Sequence, residues 1–157
     1  SLDTKNFAFK TGVRTFEAAS YLKKSGADTI EVKKLFNSDI KDFITKAEII
    51  QNAKVINNNI CLAYTKTETD NINIVIAQAA DELLNIKEVE ASFVLARKDD
   101  RVFISARSLG NINVHVLMEN LGGGGHRDMA GAQLDTSLEK AYEMVKDTIQ
   151  TCIKEEE

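Results

Sequence analysis

Apolar residues along this chain change their spacing several times, and each change marks an element. Phe16, Ala19 and Leu22 recur at helical intervals between Thr15, which suits an N-cap, and Gly26, which suits a stop. A second short helix is predicted over 29–36, and Asn37-Ser38 interrupts it. Ser38 then caps a longer helix whose stripe is Ile40, Phe43, Ile44, Ala47, Ile50 and Ala53, ending at the turn composition Asn57-Asn58-Asn59. Ile60-Cys61-Leu62-Ala63-Tyr64 is apolar on both faces, as a strand covered on both sides requires. Helical spacing returns from Asn73 to Leu84, capped by Thr69 or Asp70. Residues 91–96 and 102–106, joined by Lys98-Asp99-Asp100-Arg101, read as a β-hairpin. Val114, Leu117, Met118 and Leu121 mark a short helix that runs straight into glycines, and 130–134 reads as one more strand. Thr136 with Glu139 resembles a capping box that opens a last helix through about Ile153.

Strands interleaved with helices predict an α/β fold, a mixed β-sheet with helices packed on it. A soft boundary falls near Asn37, which divides the chain into 1–37 and 38–157. The chain opens at Ser1 without an initiator Met and enters extended-looking sequence at once, so it reads as a piece of something longer. A hydrophobic fraction of 43% with 28% charged residues is that of a soluble globular protein, large enough to build a core. No apolar run approaches the roughly 20 residues of a spanning helix, and the N-terminus lacks the layout of a signal peptide. Two cysteines in separate apolar segments form no framework, which favours a reduced, cytosolic setting. A formal charge of −4 argues against a broad electrostatic grip on long nucleic acid. A local pocket for a small anion is still allowed.

The candidate chemistry sits in two places. Gly122-Gly123-Gly124-Gly125-His126 holds half of the eight glycines and one of the two histidines. Successive residues without a Cβ let backbone N–H groups turn toward one point and let a ligand reach the main chain. His126 adds a side chain that can donate to an anion. One αL glycine suffices to end a helix at Gly122, which leaves three glycines for an anion pocket or for a flexible turn. Upstream, alternation along 102–107 puts Phe103, Ser105 and Arg107 on one face and Val102, Ile104 and Ala106 on the other. Arg107 stands at the strand's C-terminal end, where its fork suits phosphate oxygens; the plain alternative is a pairing with a surface carboxylate. His115, inside a predicted helix, reads as structural. Two histidines and no cysteine pair make a poor zinc site, and Asp3, a carboxylate at the end of an expected strand, is the remaining candidate for a hard cation, a signal that by itself carries nothing.

With these residues in place, the sequence resembles the DHH phosphoesterase superfamily, in which a catalytic DHH domain precedes a smaller DHH-associated domain. Gly123-Gly124-Gly125-His126 is similar to the glycine-histidine loop of that second domain, and Ser105-Ala106-Arg107-Ser108 to its phosphate-binding strand end. Asp3-Thr4 resembles the last metal-ligand motif of the DHH domain. The stretches 3–7, 11–22 and 108–114 resemble the GdpP (YybT) type, the membrane-anchored bacterial phosphodiesterases for cyclic di-AMP. The Asp-His-His motif itself is absent.

The resemblance implies that 1–37 is the C-terminal remnant of a DHH domain and 38–157 a DHH-associated, substrate-binding domain. It implies Ser105, Arg107, Ser108, Gly123, Gly124, Gly125 and His126 as substrate-binding residues and Asp3 as a metal ligand. It further implies two manganese ions in the intact enzyme, a cyclic dinucleotide substrate, and the upstream DHH domain as partner, with a homodimer also compatible. The expected setting is the cytoplasmic side of a membrane-anchored parent. On that reading the fragment carries no complete catalytic set and is inactive alone. An alternative from another class is a RecJ-like or oligoribonuclease-like module that grips single-stranded nucleic acid. The 6% aromatic content, the lack of Trp and the negative charge count against it.

Overall fold

The computed structural model describes residues 39–156; Asp3 and the elements expected within 1–38 lie outside them, as does the expected boundary near Asn37. The described residues form α1 (Ile40–Gln51), β1 (Lys54–Ile56), β2 (Ile60–Thr65), α2 (Ile72–Leu83), β3 (Ala91–Lys98) and β4 (Arg101–Ser108). They continue through α3 (Val114–Glu119), β5 (Gly124–His126), β6 (Met129–Leu134) and α4 (Leu138–Glu156). One six-stranded sheet runs in the order β1-β2-β3-β4-β6-β5. β2 and β3 are parallel and joined by the crossover helix α2; the other neighbours are antiparallel. The expected mixed sheet with helices is therefore the observed architecture.

Each sheet face builds its own core. Ile60, Leu62, Phe93, Leu95, Val102, Ile104 and Ala106 point to α3 and α4, meeting Val114, Met118, Val145 and Ile149. Cys61, Ala63, Val94 and Ala96 point the other way, to α1 and α2, and meet Ile49, Ile72, Val75, Ile76 and Ala79. β2 and β3 are covered on both sides, which is why their sequences are apolar without alternation. Burying a side chain such as Phe93 or Leu95 completely contributes about 1.5–3 kcal/mol each.

Local sequence explains the turns. β3 and β4 are joined by Asp99-Asp100, with Asp99 at φ 55, a left-handed conformation that a short carboxylate side chain tolerates. Asn57 and Asn58 do the same, at φ 51 and 69, in the β1–β2 hairpin. Strand β1 is absent from the sequence pattern because three residues on a sheet edge, mostly exposed, carry no periodic signal.

Three helices differ from expectation. α2 begins after Asn71, which makes no side-chain cap bond, rather than after a capping Thr69 or Asp70. On α1 the buried positions are Asp42, Thr45 and Ile49, while Ile40, Phe43 and Ile44 of the expected stripe are 71%, 58% and 51% exposed. The inward polar groups are satisfied: Asn71 Nδ2 donates to Asp42 Oδ2 at 3.0 Å, and the Thr45 hydroxyl donates to the Lys41 carbonyl at 2.7 Å. α4 is capped by Ser137 rather than Thr136, since Ser137 Oγ accepts from Lys140 N at 3.2 Å.

Candidate functional site

The α2 side of the sheet is only partly roofed. α1 and α2 pack on β2, β3 and β4, and β6 and β5 run out beyond them. Residues paired across a sheet share a face, so the register assigns the side chains of this open area. One row is Phe103 and Gln133, the next Ser105, Gly131 and Gly124, and the third Arg107, Met129 and His126. Ser105 and Arg107 thus share a face with His126, as alternation predicts for the first two. Arg107 and His126 stand two strand spacings apart, roughly 10 Å between Cα atoms.

Beside α2 this area sinks into a cleft of about 490 Å³, lined among others by Asn73, Ile76, Phe103, Ser105, Gly123 and Gln133. Asn73, Ala77 and Asp81 lie on one helix stripe, four residues apart, and flank the open strands. The floor is low because β6 and β5 contribute glycine where other strands would carry side chains.

The four glycines have different reasons. Gly122, at φ +81, ends α3: its N–H bonds the Glu119 carbonyl at 3.0 Å and that of Gly123 the Met118 carbonyl at 2.8 Å, a Schellman closure. Gly123 cannot carry a Cβ, which would lie 2.1 Å from the Gly131 carbonyl oxygen. Gly125, at φ +147, is excluded from side chains in the same way, with Ala130 Cα 2.5 Å from the position. Gly124 differs from these. A Cβ there meets nothing within 4 Å and its φ is not left-handed, so packing does not require a glycine. The run is a helix stop followed by a short edge strand, so three of the four glycines serve backbone geometry; Gly124 alone leaves its space to something else.

Arg107 is held firmly. Its Nε donates to Asp81 Oδ1 at 2.9 Å and its Nη1 to the Ala106 carbonyl at 2.9 Å, with the two side chains 11% and 17% exposed. The carboxylate partner weighed from sequence is real, but it is a largely buried residue of α2 rather than one on open surface. Two of the five guanidinium N–H groups are thereby engaged and three are left for a ligand. Ser105 is 7% exposed and lines the cleft. Ser108 is 2% exposed and turns elsewhere: its hydroxyl accepts from Gly110 N at 2.9 Å and holds the bend after β4. The structure therefore brings Ser105, Arg107, Gly124 and His126 to one face and leaves Ser108 in a structural bend. Gly123 lines the cleft and Gly125 faces the α3 side.

Sequence reasoning missed Asn73, Asp81, Phe103, Gly131 and Gln133 as parts of this site. Phe103 was on the right face of β4; the others come from α2 and β6, and only the fold brings them together. His115 lies in α3, with Nε2 3.6 Å from a Glu119 carboxylate oxygen. Among the described residues no three His, Cys, Asp or Glu side chains gather as a metal site would require, so a two-manganese centre finds no donor set there. No helix among them is long and apolar enough to cross a membrane.

Residues 57–155, which contain the whole cleft, match the DHHA1 domain. The chain belongs to the DHHA1 family. It is 45% identical over 152 residues to the cyclic-di-AMP phosphodiesterase GdpP of Bacillus subtilis (strain 168), covering 94% of this chain and 23% of that protein. It is 43% identical over 142 residues to the cyclic-di-AMP phosphodiesterase PdeA of Listeria monocytogenes, covering 89% and 22%. The chain thus spans less than a quarter of the curated relatives it matches. In fold it resembles an exopolyphosphatase-related protein from Bacteroides fragilis, with a TM-score of 0.76 at 21% identity over 95% of this chain and 46% of the other. The match to GdpP and PdeA marks the DHHA1 domain as one of GdpP type.

Proposed function

We propose that this DHHA1 chain is the substrate-binding part of a phosphodiesterase that opens cyclic di-AMP to a linear dinucleotide. The observation that carries the proposal is the shared sheet face of Ser105, Gly124, Arg107 and His126, with Ser105 also lining the cleft beside them. The names of GdpP and PdeA support the substrate class. In this reading Arg107 presents its free N–H groups to a phosphate oxygen, with the guanidinium preset by Asp81. His126, on the far strand of the same row, donates from the other side. The Ser105 hydroxyl adds a neutral hydrogen bond, and Gly124 lets the ligand lie against the backbone. These residues bind and orient.

The attacking hydroxide and its two manganese ions are assigned to the DHH domain of the intact enzyme, on the cytoplasmic side of a membrane-anchored parent. A fragment whose described residues hold this cleft and no metal set should bind without turnover.

Calorimetric titration of the chain with cyclic di-AMP tests the reading, alongside a turnover assay in manganese. Binding is expected, with Arg107→Ala weakening it by about 1–3 kcal/mol. Undiminished affinity in that variant, or manganese-dependent hydrolysis by the chain alone, would refute it.

A further inference from the structure

The sheet face that carries Arg107 and ends at the cleft is longer than a phosphate. From Arg107 back to Phe103 the face of β4 runs four residues, roughly 13 Å, the reach of a nucleotide rather than of a lone anion. The two ends differ in chemistry. At the Arg107–His126 end the groups are cationic or polar donors. At the other end the lining is the ring of Phe103 and the side chain of Ile76, flanked by two carboxamides, Asn73 from α2 and Gln133 from β6. An aromatic and aliphatic platform with amides at its rim suits a flat, hydrogen-bonding heterocycle, and it suits a phosphate poorly.

The geometry points to this end of the cleft as a nucleobase subsite that reads adenine, with Asn73 and Gln133 as the reading residues and Phe103 as the stacking platform. The inference rests on the reading of the chain as a cyclic dinucleotide binder and adds where the base lies and what selects it. Gln133 is already oriented. Its Oε1 accepts from Arg101 Nη1 at 3.3 Å, and Arg101 is itself held by Asp135 at 3.1 Å, so the free end of the Gln133 amide is its NH2. That end can donate to the ring nitrogen N1, which accepts in adenine and carries a hydrogen in guanine. The exposed Asn73 amide at the cleft wall can donate to one position of a base edge and accept from the next. Adenine offers that pair, an acceptor N7 beside the N6 amino group, whereas guanine offers two acceptors, N7 and O6. An amide with one donor and one acceptor side satisfies the first edge fully and the second only by half. Stacking on Phe103 tolerates either base, so selection falls to the amides.

The test compares cyclic di-AMP with cyclic di-GMP by calorimetric titration of the chain and of its Asn73→Ala and Gln133→Leu variants. Both positions are exposed, so neither change should disturb folding, and thermal unfolding checks this. The chain is expected to prefer cyclic di-AMP by about tenfold or more. Each variant is expected to cut that preference to about threefold or less while still binding both ligands. A preference that survives in both variants overturns the base subsite while leaving the phosphate reading intact, as does a chain that binds both ligands equally. If neither cyclic dinucleotide binds the unaltered chain, the phosphate reading fails and the base subsite with it.

Discussion

The unequal duties of neighbouring glycines give a sharp test of the site. Gly123→Ala would bring a methyl carbon to 2.1 Å from the Gly131 carbonyl oxygen and to 2.7 Å from Ala132 Cβ. Both obstacles are part of β6 or sit directly on it, so relief requires β5 and β6 to part by about 1 Å, and their hydrogen bonds with them. Forcing a methyl into a full space costs about 1–3 kcal/mol, and a clash with main chain belongs at the upper end. For the roughly 120 described residues, an unfolding entropy of about 2.1 cal/mol/K per residue converts 3 kcal/mol into a fall of about 12 °C in Tm. Gly124→Ala, one position along, meets nothing within 4 Å and should stay within about 2 °C of the unaltered chain. Its effect should appear in ligand titration instead, as about a tenfold loss of affinity for cyclic di-AMP, because the methyl occupies the floor where the ligand lies. Thermal unfolding by circular dichroism with parallel calorimetry measures both. The reasoning is wrong if the two variants lose similar stability, or if Gly124→Ala binds as tightly as the unaltered chain.

Asp81→Asn keeps the shape beside Arg107 and removes the charge. It should weaken cyclic di-AMP binding about three- to tenfold with a small loss of Tm, and unchanged affinity would show that Asp81 does not preset the guanidinium. Burial pushes the Cys61 thiol above its ordinary pKa, so a thiol reagent at pH 8 should modify the partly exposed Cys152 first and reach Cys61 only as the fold opens. In the same region of pH, above about 8.5, the unfolded chain holds fewer protons on Cys61 than the folded one. Stability should therefore fall as pH rises there, and the Cys61→Ala variant should show a shallower fall in urea midpoints.

Much of this fold was legible because the signals are local. The uniformly apolar run at 60–64 implies a strand covered on both sides, the charged turn between 91–96 and 102–106 implies a hairpin, and alternation along β4 assigns Ser105 and Arg107 to one face. One helix stop within Gly122–Gly125 also follows from chain geometry alone. The phase of α1 was not legible, because a buried Asp42 is stable only with the Asn71 amide, which is 29 residues away in sequence. Nor was β5, since a three-residue edge strand of glycines and a histidine has no period to read.

The sequence by itself determined that these residues build alternating strands and helices with a glycine-histidine segment after one helix, because periodicity, capping and turn preference act over a few residues. Only the tertiary structure decided that β6 inserts between β4 and β5, that Asp81 reaches Arg107, and that Gly124 faces open space. Those facts depend on register between distant segments, which hydrogen bonding across the sheet fixes and which no local pattern encodes.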